Sequence, residues 1–301
     1  VPSDKRARQR ANRDARVAQL QRGQQRKRNT RRGAVVAGIV VIALIVAYLT
    51  SRGGSSKKTV TTTLSGPLAS LEANLVPRTP PPTSTDCTAP AAKETAPPTT
   101  IPAKGNAVAI IPAPATVPFP NLDGSSPHYT KFSAAPPFCI DVDKTYTATM
   151  KTDVGTITIT LLPKYAPVTV NNFVFLAGYH YFDGTVFHRV IPGFVDQGGD
   201  PTGTGSGTPG YSFKDELPKS KAAYDDGAVA MANSGANTNG SQFFLVVDNG
   251  GQQLTDAYSV YGQITGGLSV AKKINADGDS ADNGSPPKVT HKLLSVTISE
   301  S

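Results

Sequence analysis

Phe187-His188-Arg189-Val190-Ile191-Pro192-Gly193-Phe194-Val195-Asp196-Gln197-Gly198-Gly199-Asp200 is one of two dense motif blocks in this 301-residue chain. Its companion opens with Met231-Ala232-Asn233-Ser234-Gly235 and ends with Gly240-Ser241-Gln242-Phe243-Phe244. Taken singly, these residues say little. One arginine among 30 basic side chains is ordinarily a solvated charge, and a phenylalanine is ordinarily core. Arg189 nonetheless offers a permanent charge and several donors in one rigid plane, so it can donate to a ligand without a proton-transfer step. His188 adjoins it and invites an acid-base role. His128, His180 and His291 are scattered, without metal-ligand spacing or a cysteine cluster, so no metal centre is expected. Gly205-Ser206-Gly207-Thr208-Pro209-Gly210 satisfies G-x-G-x-x-G, but Pro209 falls inside the pattern and Pro218 follows soon after. A loop is expected there, not the strand and helix that a dinucleotide site needs.

Together the two blocks resemble the cyclophilin family of peptidyl-prolyl isomerases, and the resemblance runs from about Lys144 to Ser301. It implies a mainly β fold, a closed eight-stranded antiparallel barrel capped by two helices, with a packed interior and the active groove outside. It also implies rotation of X-Pro bonds in polypeptides, with no cofactor and no metal. That reaction must break amide resonance, a barrier of about 18 to 20 kcal/mol, yet makes and cuts no bond. It asks for a dry pocket that grips the proline ring, anchors for the flanking backbone, and a cation near the prolyl nitrogen, whose lone pair is freed as the amide twists.

By position, the resemblance makes Arg189 that cation and Gln197 its catalytic partner, bonding the substrate carbonyl and orienting Arg189. Phe194, Val195, Phe244 and Leu254 become pocket walls and Gln242 a polar positioner. Ala232 and Asn233 present backbone to the peptide. Gly203, Thr204 and Gly205 edge the groove, where missing side chains let an extended peptide approach. His188 becomes structural. Two departures alter the rim: Gln253 stands where many members have tryptophan before the pocket leucine, and Tyr258 where the eukaryotic pattern has histidine. Tight cyclosporin binding is therefore not expected. A Pro-peptide-binding scaffold with little turnover is the alternative reading of that rim.

Outward from the blocks, composition divides the chain. Residues 1–33 hold twelve Lys or Arg against Asp4 and Asp14, a local charge of +10 within a whole-chain charge of +8. The basic balance therefore belongs to a tail, and nucleic-acid binding is not expected of the rest. Gly33 to Ser51 is 19 residues without a charge, long enough at about 1.5 Å per residue to cross a bilayer. Residues 34–50 are expected to be a transmembrane helix, a cleaved signal peptide being the competing view. The basic excess before the span puts the N-terminus in the cytoplasm and the remainder outside. This is the pattern of a bacterial, membrane-anchored cyclophilin assisting exported or surface proteins.

Residues 51–138 read as a Pro/Thr/Ser/Ala-rich linker, with 16 of the chain's 25 prolines between 53 and 137 and no capacity for a packed core. Val108 to Ile111 is a short apolar patch within it. Residues 139–301 are the expected isomerase domain. Cys87 and Cys139 are the only cysteines, and a pair on the outer side of a membrane permits a disulfide across linker and domain, the alternative being two free thiols.

Local patterns place strands at Tyr146 to Lys151 and Thr156 to Leu162, then at Val186 to Val190, Ala228 to Met231, Gln242 to Val247, Tyr258 to Ile264 and Leu293 to Ile298. Pro167 opens a helix with Val170, Phe173, Val174 and Ala177 on one face and Gly178 at its end. A second helix is expected near Leu268 to Ile274.

Overall fold

The structure, a computed structural model, describes residues 67–87 and 107–301. The expected basic tail and membrane span lie outside the described residues, among which no helix is long and apolar enough to cross a membrane. In chain order the regular elements are α1 (Pro67–Glu72), β1 (Tyr146–Thr152), β2 (Gly155–Leu161), α2 (Pro167–Gly178), β3 (Arg189–Ile191), β4 (Val195–Gly198), β5 (Ala228–Met231), β6 (Phe243–Val246), β7 (Val260–Gly266), α3 (Leu268–Ala276) and β8 (Leu293–Glu300). The strands form one curled antiparallel sheet in the order β3-β4-β6-β5-β7-β2-β1-β8.

A closed barrel is not formed by a continuous ladder. Val186 makes isolated bridges to Asp200 past the end of β4 and to Lys292 just before β8, and the Gly184 and Phe187 N–H groups donate to the Leu293 and His291 carbonyls at 2.8 and 3.0 Å. The strand expected over Val186 to Val190 is thus split into that single bridge and the short β3. Strand β4 escaped local reading because its four residues include Asp196 and Gly198, types that strands disfavour.

Side-chain alternation sorts the sheet into two apolar clusters. Phe243 and Leu245 of β6, with Val229 and Met231 of β5, join the core that also holds Met150, Ile157, Ile159 and Tyr261. Their neighbours Phe244, Val246, Ala228 and Ala230 face the other way, into a second cluster with Val195, Leu254 and Val260.

The linker expectation fails for most of the described part of 51–138. Leu71 and Leu75, each 2% exposed, pack into the second cluster, and Phe119 and Phe132 join the first. Prolines bar regular ladders, but the leucines and aromatics between them still bury apolar surface, and the backbone is satisfied against the sheet domain. Val108 N–H donates to the Pro201 carbonyl at 2.8 Å and Phe132 N–H to the Pro209 carbonyl at 2.7 Å. Of the apolar patch, Val108 is buried while Ile110 stays 52% exposed. Arg78 clips the first part down, donating from Nε to the Tyr165 carbonyl at 3.1 Å and from Nη2 to the Leu217 carbonyl at 2.9 Å. Cys87 and Cys139 are joined as a disulfide with Cα atoms 5.3 Å apart. The folded unit therefore begins well before Cys139, as a strap laid over the sheet domain.

The strap changes α2. Its apolar stripe was expected on one face, yet every residue from Thr169 to Gly178 is buried. Asn171 Oδ1 accepts the Cys139 N–H at 2.8 Å, and Phe175 meets Phe132 at 5.0 Å between ring centres. A helix covered on two sides needs no polar face. A Cβ at Gly178 would come within 2.5 Å of Pro120, so the strap crosses close to the end of α2 only because that residue is glycine. The helix-start N–H groups of Val168 and Thr169, which have no partner within the helix, are taken by the buried carboxylate of Glu216, a cap supplied from far along the chain.

Candidate active site

The site grows out of register. In the β3–β4 hairpin Arg189 lies opposite Gln197, Gln197 lies opposite Phe244 of β6, and Phe244 lies opposite Ala230 of β5. Residues directly opposite share a face, so Arg189, Gln197 and Phe244 form one row across the outer side of the sheet. The hairpin turns at Pro192-Gly193, with the Phe194 N–H donating to the Ile191 carbonyl at 3.0 Å and Gly193 at φ 72°, the left-handed region that glycine enters without cost. Asn275 of α3 grips this turn: its Oδ1 accepts the Gly193 N–H at 2.7 Å and its Nδ2 donates to the Ile191 carbonyl at 2.9 Å. The turn in turn fixes Phe194.

A cavity of about 360 Å³ opens on the row, lined by Arg189, Phe194, Val195, Gln197, Ala232, Asn233, Phe244, Gln253, Leu254, Thr255 and Tyr258. The Phe244 and Tyr258 rings meet edge to face at 5.3 Å. Tyr258 is held by Tyr224, whose hydroxyl donates to the Tyr258 carbonyl at 2.9 Å and accepts its N–H at 3.1 Å. Burial pushes the Tyr224 hydroxyl up to about 12, so it stays a donor. Gln253 sits exposed on the rim, its Nε2 3.4 Å from the Gly193 carbonyl.

Polar groups are wired in series along the cavity. Arg189 Nη1 donates to Gln197 Oε1 at 3.1 Å, Gln197 Nε2 donates to Gln242 Oε1 at 3.0 Å, and Gln242 Nε2 donates to the Gly205 and Gly207 carbonyls at 2.9 and 3.0 Å. Arg189 is also held from outside the row: Nε donates to the Asn283 carbonyl at 2.9 Å and Nη2 to Asn283 Oδ1 at 2.9 Å. Burial draws the Arg189 guanidinium below its ordinary value, with Tyr258 acting in the opposite sense. An arginine so placed remains charged at any physiological pH.

A second, smaller cavity of about 200 Å³ adjoins the first through Gln197, Ala232 and Asn233, and runs past Gly205, Gly207, Ser234, Thr238 and Gln242. Behind it Asp200 is fully buried. Its Oδ1 accepts the Thr202 N–H and hydroxyl, each at 2.7 Å, and its Oδ2 accepts the Gly205 N–H at 2.6 Å and the Thr204 N–H at 3.1 Å. Burial pushes this carboxyl up, but the Thr202 hydroxyl and N–H, the Gly207 N–H and the neighbouring His188 outweigh it and hold it below the ordinary carboxylate range. The G-x-G-x-x-G run is the loop that wraps it: a Cβ at Gly207 would fall 1.8 Å from Asp200 Oδ1.

Of the residues singled out from sequence, Arg189, Phe194, Val195, Gln197, Ala232, Asn233, Phe244, Leu254 and Tyr258 share the larger cavity, and Gln242 lines the smaller one. Gly203 and Thr204 line neither and serve instead in the turn that cradles Asp200. The Ala232 N–H already donates to the Gln242 carbonyl at 2.9 Å, so it is not free for a peptide. His188 is buried behind Arg189, and burial lowers its proton affinity. Three contributors were missed. Asn275 and Tyr224 act only through tertiary contact. Asn283 carries one local signal, the turn-forming run Asp282-Asn283-Gly284.

This outer-face groove defines the class, and comparison agrees. The pattern described as "Cyclophilin type peptidyl-prolyl cis-trans isomerase/CLD" matches residues 147–298, and the chain belongs to that family of isomerases. Peptidyl-prolyl cis-trans isomerase B of Bacillus subtilis (strain 168) is 46% identical over 127 residues, 42% of this chain and 87% of the relative. Peptidyl-prolyl cis-trans isomerase B of Streptomyces anulatus is 46% identical over 134 residues, 40% of this chain and 76% of the relative. A crystal structure of a Cryptosporidium parvum cyclophilin type peptidyl-prolyl cis-trans isomerase in the presence of dipeptide Ala-Pro covers 52% of this chain and 99% of its own, at 32% identity and TM-score 0.45.

Proposed function

We propose that this isomerase turns over X-Pro bonds in exported or surface polypeptides, from a single-pass anchor with the N-terminus cytoplasmic and the folded domain outside. The observation that carries the catalytic reading is Arg189, fixed through three of its donors at the edge of a cavity of about 360 Å³ whose walls combine Phe194, Phe244 and Leu254 with polar side chains. The proline ring sits against Phe194, Phe244 and Leu254. Two guanidinium N–H groups remain for the prolyl nitrogen as its lone pair leaves amide resonance. Gln197 keeps one amide group toward Arg189 and, with Gln242, lines the path along which the flanking backbone lies. The smaller cavity takes side chains preceding the proline, and its walls of glycine, serine and threonine leave room for varied residues. No covalent step, cofactor or metal enters this mechanism. Support for the location is the uncharged run 34–50 behind a tail of charge +10.

A protease-free assay of cis/trans exchange on an Ala-Pro peptide with the full chain tests the activity. Acceleration lost in Arg189→Ala supports it. Peptide binding without acceleration would instead mark the scaffold reading that the Gln253 and Tyr258 rim allows. For location, protease added to intact spheroplasts should remove the isomerase domain. Protection of the domain with loss of the N-terminus would reverse the topology.

A further inference from the structure

We propose that Asn283 is a positioning residue for the reaction, setting the plane of the Arg189 guanidinium. This inference rests on the catalytic reading of Arg189. Strand β3 is an edge of the sheet, and its outer side is met not by another strand but by the loop from Gly278 to Gly284. Asp279 N–H donates to the Val190 carbonyl at 3.1 Å. The backbone approaches as closely as glycine permits: a Cβ at Gly278 would lie 2.6 Å from the Val190 carbonyl oxygen, and one at Gly284 would lie 2.5 Å from Ile191 Cγ1. Between these contacts Asp282 and Asn283 take φ of 46° and 57°, a conformation that asparagine tolerates better than most side-chain-bearing residues.

That conformation brings both oxygens of one residue to bear on one guanidinium. The Asn283 carbonyl receives Nε–H and its Oδ1 receives an Nη2 N–H, each at 2.9 Å, while Gln197 takes an Nη1 N–H from the other side. Gln197 alone is a single point of attachment, about which a guanidinium can still swing. Two further acceptors on the opposite edge remove that freedom, so the remaining N–H groups face the cavity before a substrate arrives. Such preorganisation acts on the turnover rate more than on ground-state binding, because the bond to the prolyl nitrogen strengthens only as the amide twists.

The test compares Asn283→Gly, Asn283→Asp and Arg189→Ala in the full chain, measuring kcat and KM on an Ala-Pro peptide by exchange NMR. Arginine side-chain resonances and Tm are followed alongside. Glycine keeps the positive φ and the carbonyl acceptor but removes Oδ1. It should lower kcat roughly five- to tenfold, the loss of one exposed charge-assisted hydrogen bond, with KM within about twofold and Tm nearly unchanged. It should also speed solvent exchange of the Arg189 Nε–H. Asn283→Asp restores an acceptor and should restore slow exchange, yet leave kcat low, because a carboxylate offsets the cation facing the prolyl nitrogen. If Arg189→Ala abolishes acceleration while Asn283→Gly keeps wild-type kcat, or loses only KM, the positioning role is wrong and the arginine reading stands. If Arg189→Ala keeps wild-type kcat, the catalytic reading itself falls, and this inference with it.

Discussion

Two regions of this molecule gather aromatic rings and use them in opposite ways. On the outer face of the sheet Phe194, Phe244 and Tyr258 stand around open space, and the polar groups beside them bond to one another in a chain from Asn283 to Gly207. In the strap Phe132 fills its surroundings, with Phe175, Tyr179, Tyr129 and Tyr181 at ring-centre distances of 5.0, 5.7, 6.4 and 6.5 Å. The first set leaves apolar surface uncovered for a ligand to cover. The second covers its own. Stability and activity should therefore separate by region.

The largest effect expected falls on the strap. Phe132→Ala leaves a cavity among four rings and should destabilise the fold by about 3 to 5 kcal/mol in urea unfolding, while molecules still folded keep their kcat. A loss of kcat without a loss of stability would break the separation. Next comes Arg189→Ala, for which kcat/KM should fall about a hundredfold or more at nearly unchanged Tm. Arg189→Lys should rescue little, since one ammonium cannot hold Gln197 and Asn283 while also reaching the substrate. Near-normal turnover in Arg189→Ala would remove Arg189 from the mechanism, and in Arg189→Lys would show that a single cation suffices.

A smaller effect probes the rim. Gln253→Trp adds an aromatic wall and an N–H donor at the cavity mouth, and should tighten cyclosporin binding by about thirtyfold in calorimetry, the scale of one aromatic hot spot. No gain would shift the sensitivity to Tyr258.

The smallest, per unit of pH, concerns Asp196, buried between Val195 and Gln197 with Asn275 Nδ2 donating to its Oδ1 at 2.7 Å and no partner on Oδ2. Burial pushes this carboxyl up to about 8, with the Asn275 bond opposing and Asp248 assisting. The folded state thus holds a proton that the unfolded chain releases near its ordinary value of 3.8. Stability from this group is whole below about pH 4, falls by at most about 1.4 kcal/mol per pH unit up to about pH 8, and is level above. Urea titrations of Asp196→Asn should flatten that slope. An unchanged slope would place the ionisation elsewhere.

Much of the catalytic face was legible because the information is local. The β-branched alternation of Thr156 to Leu162, the opening Pro167 of α2 and the two motif blocks are all properties of neighbouring residues, and the structure brings nine of the expected site residues into one cavity. Strand β4 was missed because Asp196 and Gly198 carry the wrong local preference, which cross-strand pairing with both β3 and β6 overrides. Gly203 and Thr204, expected along the groove edge, line neither cavity and belong to the turn around Asp200, a distinction that motif position alone does not draw.

What the sequence determined alone was the inventory: the charge-free run behind a basic tail, the strand and helix periods, and the residue types a proline-binding groove needs. Tertiary structure decided how the proline-rich segment behaves and who holds the arginine. Composition forecast a linker because proline denies hydrogen bonds to its own neighbourhood. It could not foresee that Phe119 and Phe132 would find apolar surface on the sheet domain and on α2. Likewise Asn283 meets Arg189 across 94 residues of chain. No local preference encodes such a pairing, because it exists only once an edge strand and a loop have packed against each other.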